Sequence, residues 1–180
     1  MQWSNENKMD FLKLVEDRVS IRNYDPDRNV APEQLRLILE AGRLAPSAAN
    51  RQPWRFYLVS SPENLSKVRS CYHRVWFKDA PHILIVAGYR KTAWERSDGS
   101  LNTLETDLAI AMDHMILAAA SLGIGSCWIV AFDPGLLRNT GILQDDEEVI
   151  SITPLGYPKE GFHKSDQKIR KSFEEVVRFV

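Results

Sequence analysis

The sequence predicts a mixed α/β domain with helices on both faces of a sheet. Three observations carry this. Apolar runs of strand length, such as 54–59 and 82–87, alternate with stretches whose apolar residues recur at helical spacing. Helix-start signals stand before those stretches, at Pro32, Ser61-Pro62 and Asp133-Pro134. No repeat, low-complexity tract or linker interrupts the chain, so residues 1–180 are expected to form one domain.

The elements follow in order. Residues 8–17 read as a helix with Met9, Leu12 and Val15 on one side. A second helix starts at Pro32, carries Leu35, Ile38, Leu39 and Gly42 at helical spacing, and is ended by Pro46. Residues 54–59 form a buried strand, and the next helix, capped by Ser61, turns Leu65, Val68 and Tyr72 inward. Residues 82–87 are a second apolar strand, and the polar stretch 89–101, with Trp94 inside it, is a loop or short lid. Asn102 with Glu105 three positions on resembles a capping box for a long helix over 103–122. That helix is apolar on most faces and must be buried on nearly all sides, which suggests a subunit interface as much as a core. Residues 126–131 and 148–153 are further strands, with a short helix from Asp133-Pro134 between them. Residues 160–180 carry basic residues near 168–171 and a short apolar end. The stretch 115–132 has no charge and is long enough to raise a membrane span, but Gly123 and Gly125 interrupt it. A helix ending at Gly123 and turning into a strand explains it better.

Lys and Arg total 23, Asp and Glu 24, for a net charge of −1. That balance gives no global attraction to nucleic acid or an anionic membrane. Cys71 and Cys127 lie far apart with no CxxC, which points to buried free thiols rather than a disulfide or zinc site. The polar first ten residues have no apolar signal-peptide core, so a cytoplasmic protein is expected. His73, His82, His114 and His163 have no metal-ligand spacing and read as structural or surface residues.

Three segments can carry chemistry. In the run 18–22, extended backbone puts Arg18, Ser20 and Arg22 on one side, two guanidinium forks with a hydroxyl between them. Such forks match phosphate oxygens, although a solvated face has the same spacing. In the run 45–54, small residues allow close approach of a flat ligand, while Ser47, Asn50 and Gln52 offer neutral hydrogen bonds to a heteroaromatic edge; a plain turn would look similar. After a strand, Pro154-Leu155-Gly156-Tyr157-Pro158 contains a glycine that permits close backbone approach.

In their order, Arg-x-Ser-x-Arg and then Pro-Ser-Ala-Ala-Asn-Arg-Gln-Pro-Trp resemble the nitroreductase family. Asp107-Leu108-Ala109, the Ala-rich helix, Gly-Ile-Gly-Ser-Cys-Trp at 123–128 and the 154–158 turn continue the resemblance across nearly the whole chain. It implies an α+β fold, a three-layer α/β/α sandwich with a mixed, mainly antiparallel sheet. It also implies a homodimer with two FMN sites at the interface and the helix 103–122 along it. Arg18, Val19, Ser20 and Arg22 match the first FMN-binding segment, with Arg18 and Ser20 at the phosphate and ribityl end. Arg22 falls near the flavin N1–O2 edge, where a fixed cation stabilises the negative charge of reduced flavin. Pro46, Ser47, Ala48, Asn50 and Gln52 match a segment that reaches the flavin from the partner subunit. Trp128, Ile129, Val130, Leu155 and Gly156 match backbone facing the ring. Lys168 and Arg170, or Lys171 in place of either, match a late basic pair on the phosphate.

The activity so implied is an oxidoreductase passing a hydride from NADH or NADPH through flavin N5 to a small electron-poor acceptor such as a nitroaromatic or quinone. Donor and acceptor share one pocket, so ping-pong kinetics are implied, and no side chain need act as nucleophile or general base. Val19 stands where many relatives have a basic or polar residue, and Ala48-Ala49 replaces hydroxyl residues. A specialised branch of the same superfamily, such as a reductive dehalogenase, and a non-catalytic FMN-binding dimer are the alternatives. Trp76, Phe77 and Trp94 are candidates for the pocket mouth or for ordinary packing.

Overall fold

The computed structural model describes residues 11–162 and 168–180. Its elements are α1 (Phe11–Asp17), α2 (Pro32–Arg43), β1 (Trp54–Val59), α3 (Pro62–Arg69) and β2 (His82–Gly88). They continue with α4 (Leu104–Ser121), β3 (Gly125–Ser126), α5 (Pro134–Asn139), β4 (Glu148–Gly156) and α6 (Phe173–Val176). The four strands form one antiparallel sheet in the order β1-β2-β4-β3.

β2 is buried along its whole length because alternate side chains enter two different cores. Leu84 and Val86 pack with Leu35 and Ile38 of α2 and with Leu104, Leu108, Met112, Met115 and Ile116 of α4. Ile83 and Ile85 pack with Leu65 and Val68 of α3, Leu137 of α5, Phe77 and Ile152. Both cysteines are buried and free in the second region. Phe77 is fully buried and meets Tyr72 and Trp76 edge-on, so packing accounts for it.

Local signals place most boundaries. Ser61 and Asp133 accept the backbone N–H of Asn64 and Leu136 and cap α3 and α5, each with Pro at the first turn. Gly123, at φ 72°, ends α4, and the Ile124 N–H turns back to the Ala119 carbonyl at 2.9 Å. Among the described residues, no helix is long and apolar enough to cross a membrane.

Four expectations need correction. Asn102 and Glu105 make no capping box: the cap position is Thr103, Asn102 accepts from Leu104 N, and Glu105 pairs with Arg90. α2 ends at Arg43, before Pro46 acts, and Tyr72 lies beyond the end of α3. The strand expected over 126–131 is only Gly125–Ser126, with a lone bridge from Ile129 to Ile152 in the same register. Pro154 explains the gap. It would face Cys127, it has no N–H to give, and Cys127 N bonds the Thr153 hydroxyl instead. β4 itself runs on to Gly156. Residues 8–10 of the first helix, and His163, lie outside the described residues, and α6, with its Ser172–Glu175 capping box, was not foreseen.

Candidate functional site

The segment 18–22 extends the sheet beyond β3. Ser20 bridges Ser126 in parallel, and Ile21 N donates to Ser126 O at 2.9 Å. Since β3 pairs with Leu155 and Gly156, three separate sequence segments become adjacent backbone at one edge of the sheet. Gly125 makes this possible: a Cβ there would sit 2.9 Å from Ile21 Cβ. Gly156 likewise has no room for a side chain, with Pro81 Cδ 2.7 Å from the position of a Cβ.

The side chains divide by alternation. Ser20, Arg22 and Arg18 lie close enough to the Cys127 thiol to lower its pKa, Arg22 most of the three. Burial still pushes that thiol up, so it stays a neutral thiol rather than a nucleophile. Val19 and Ile21 point the other way, onto Tyr24 and Ala80. Arg18, Val19, Ile21, Gly123, Gly125 and Pro158 line a cleft of about 410 Å³ beside the end of α4. Leu155 and Ile129 are buried in the cores, Trp128 is half-buried, and Val130 is exposed. Only backbone from Ile129 and Leu155 can face a ligand.

Lys168 joins this edge through the end of α1. Its ammonium donates to the Val15 carbonyl, to Glu16 O at 3.2 Å and to Arg18 O at 3.0 Å. All three donors are thus spent on carbonyls. Desolvation, then Arg18 and Arg170, lower the Lys168 pKa, so three cations crowd one place. Among the described residues no carboxylate lies within ion-pair distance of Arg18, Arg22, Lys168 or Arg170. Arg170 and Lys171 are exposed.

The loop 46–52 stands elsewhere. It holds Ala49, Asn50 and Gln52 at φ 49°, 53° and 49°, a left-handed conformation that non-glycine residues rarely adopt. Ser47 Oγ accepts from Gln52 N at 2.9 Å, and the Gln52 amide donates to Asn50 Oδ1 at 3.1 Å. Pro46, Asn50 and Gln52 are exposed, while Ser47 and Ala48 are half-buried. Ala48 N donates to Asp107 near the start of α4, whereas the 18–22 edge meets α4 near Ala120. These points are roughly 20 Å apart along the helix axis. Within one subunit the loop and the arginine segment therefore do not meet.

The stretch 89–101 is tied down. Arg90 grips both oxygens of Glu148 at 2.8 and 2.7 Å and also pairs with Glu105, while Lys91 pairs with Asp146 at 2.6 Å. The contact that sequence reading missed is that of Asp107, and its signal was a carboxylate at the helical spacing of the apolar residues Leu104, Leu108 and Ala111, unlike Glu105 and Asp113 of the same helix, which are exposed. His82 is structural: Nδ1 lies 2.8 Å from Ser60 Oγ, and Nε2 is buried without a partner. Among the described residues no group of His, Cys, Asp and Glu is placed to hold a metal.

Burial lowers the His82 pKa, so the fold prefers the neutral ring. Its contribution to stability is present above the ordinary value of about 6.5 and is lost as the pH falls through the lower folded value. Thermal melts from pH 7 downward are expected to show a Tm decline that His82→Gln reduces. Parallel curves for the two proteins would remove His82 as a source.

The family model for the nitroreductase family matches residues 15–70 and 65–157. This chain belongs to the nitroreductase family. A Methanothermobacter thermautotrophicus relative, provisionally named NADH dehydrogenase/NAD(P)H nitroreductase, is 36% identical over 166 residues, covering 86% of this chain and 80% of that one. A nitroreductase family protein from Clostridium difficile 630 superposes with a TM-score of 0.86 at 32% identity, covering 95% and 98% of the two chains. A nitroreductase with bound FMN from Bacteroides fragilis superposes with a TM-score of 0.77 at 26% identity, covering 96% and 100%. The nitroreductase fold is α+β, as the antiparallel sheet and its helices are here, and the family is one of oxidoreductases.

Proposed function

We propose that the protein is an FMN-dependent oxidoreductase that works as a homodimer of three-layer, single-domain subunits. It takes reducing equivalents from NADH or NADPH and delivers them to a small electron-poor acceptor such as a nitroaromatic or quinone. The observation that carries this reading is the cation cluster of Arg18, Lys168 and Arg170, with no carboxylate among the described residues at ion-pair distance, beside an edge of close-packed backbone. A dianionic phosphate is the partner such a cluster lacks.

The residues present fit the cofactor. Arg18 would offer its guanidinium to the phosphate and Arg170 the donors left after its Nη1 gives to the Ile169 carbonyl at 2.7 Å, while Lys168, its donors already used, contributes charge and fixes the end of α1. Ser20 and Val19 border the ribityl path, and Arg22 holds a positive charge at the N1–O2 edge. Backbone of 128–130 and of Leu155–Gly156 lies along the ring, with Lys171 a reserve cation. Pro46, Ser47, Ala48, Asn50 and Gln52 come from the second subunit, because their own subunit holds them roughly 20 Å from the arginines. When bound, the flavin carries the hydride chemistry, and the protein's part is binding, orientation and charge.

The dimer rests on two further features. Half-open Ile110, Leu117 and Ala118 leave apolar surface on α4, with exposed Asp113 and half-buried His114 between them. The chain after Lys168 exposes Ile169, Phe173, Val176 and Phe179, an apolar surface suited to another subunit. We place the protein in the cytoplasm, where two free buried thiols are at home.

The test is anaerobic addition of NADH and of NADPH to the FMN-loaded protein, followed by an acceptor panel, with light scattering for mass. Bleaching with either nucleotide, reoxidation by an acceptor, parallel double-reciprocal plots and a two-chain mass support the reading. No bleaching with either nucleotide leaves a flavin binder without turnover. Arg18→Ala is expected to raise the Kd for FMN about tenfold, as a charged hydrogen bond is worth about 1.5 kcal/mol or more. Equal flavin content after dialysis of the two proteins would refute that role.

A further inference from the structure

We propose that Asp107 is the positioning residue that holds the loop 46–52 in its left-handed shape, by accepting the Ala48 backbone N–H. The proposal rests on the reading that this loop binds FMN, and goes beyond it by assigning what shapes the loop.

Asp107 lies on α4 among Leu104, Leu108 and Ala111 and is only 2% exposed. Its two oxygens have separate partners: Oδ1 accepts from Ala48 N at 3.0 Å, and Oδ2 from Thr103 Oγ1 at 3.0 Å. Among the described residues no cation pairs with it. Desolvating a carboxylate without a cation is unfavourable by several kcal/mol, and an apolar residue would suit these neighbours better. The positive end of α4 offsets part of that penalty, since Asp107 is in its first turns. What the carboxylate adds is a charge-assisted bond to a loop residue distant in sequence.

The loop needs such a bond. Ala49, Asn50 and Gln52, all at positive φ without being glycine, hold a backbone shape that side chains disfavour. The Ser47–Gln52 and Asn50–Gln52 bonds tie the loop only to itself. Asp107 ties its middle to a buried helix. Alanine at 48 has no side chain beyond Cβ to keep the backbone from that helix.

The test uses full-length variants. Asp107→Ala removes the acceptor, Asp107→Asn keeps an uncharged one, and Met112→Ala loosens α4 away from the loop. Arg51 is exposed in the loop, so trypsin cleavage after it in the apoprotein, followed by mass, reports the loop directly. The Kd for FMN and the visible circular dichroism of the bound flavin report the site. Asp107→Ala is expected to be cut about tenfold faster, bind FMN about tenfold more weakly and change the flavin spectrum. Asp107→Asn should stay within about threefold of the wild type on both measures. Met112→Ala should lower the Tm and leave both measures alone. Wild-type cleavage and Kd in Asp107→Ala, or equal changes in Met112→Ala, would overturn the proposal. Should Asp107→Ala not fold, the larger Asp107→Leu and the milder Thr103→Val, which frees Oδ2 and leaves the Ala48 bond, are compared; faster cleavage in Asp107→Leu alone supports the clamp and equal rates overturn it. A wild-type apoprotein that takes up no FMN defeats the flavin reading, and the cleavage rates then still decide the clamp.

Discussion

Arg22→Ala is expected to leave the protein folded and flavin-loaded while slowing flavin reduction by roughly a hundredfold. The guanidinium is exposed at the strand-like edge, and no carboxylate among the described residues neutralises it. Its neighbours Ser20 and the Cys127 thiol are neutral and offer no countercharge, and a bound ring that displaces water from the guanidinium would feel its field more strongly. A fixed charge of this kind acts on the reduced ring far more than on the oxidised one, because negative charge appears only on reduction. Flavin content should therefore fall little while the reduction rate falls steeply, and Arg22→Lys should recover part of the rate. Anaerobic stopped-flow with saturating NADH or NADPH measures it. A rate within twofold of the wild type, on the order of measurement scatter, would take Arg22 out of this role.

Gly88→Ala is expected to destabilise the apoprotein by about 3 kcal/mol, lowering the Tm by roughly 6–12 °C. A Cβ at Gly88 would sit 2.5 Å from the Pro53 carbonyl oxygen, 2.9 Å from Leu104 Cδ1 and 3.0 Å from Leu108 Cδ2. The first of these is backbone, held by the Tyr89 N–H at 3.0 Å, and cannot rotate away. Pro53 directly follows the loop 46–52, so the same substitution should also weaken FMN binding. Gly42→Ala is the contrast. There a Cβ meets only the flexible end of Met115, at 2.6 Å from its sulfur, and alanine favours the helix by about 1 kcal/mol. Urea unfolding of both apoproteins checks the pair. Equal midpoints would show that the end of β2 relaxes more easily than the packing implies.

Much of the fold was legible because the signals were local. The bounds Trp54–Val59 are those expected, but the strand expected to be buried lies at the sheet edge, half-buried with Arg55 exposed; Ser61-Pro62 and Asp133-Pro134 announced α3 and α5 through cap chemistry that needs only four or five residues. The errors came where a distant residue decided. Whether 127–128 pairs depends on Pro154 across the sheet, and whether Glu105 caps α4 depends on Arg90, which claims its carboxylate first. The short α6 was missed because a single turn has too few residues to show a period.

The candidate site divides in the same way. Alternation within 18–22 separates Ser20 and Arg22 from Val19 and Ile21, but Arg18, whose N–H still closes the last turn of α1 on the Leu14 carbonyl, lines the cleft together with Val19 and Ile21. The order of the motifs was enough to suggest the family, and hence a flavin.

By itself the sequence determined most of the elements, the motifs that carry the family resemblance, and the caps that start α3 and α5. Tertiary structure alone decided that 18–22, 125–126 and 155–156 become adjacent backbone, that the loop 46–52 lies at the far end of α4, and that Asp107 grips it. Periodicity and capping act over a few residues and are written locally. Strand order, register and a hydrogen bond between α4 and a distant loop are settled only when the whole chain buries its apolar surface at once.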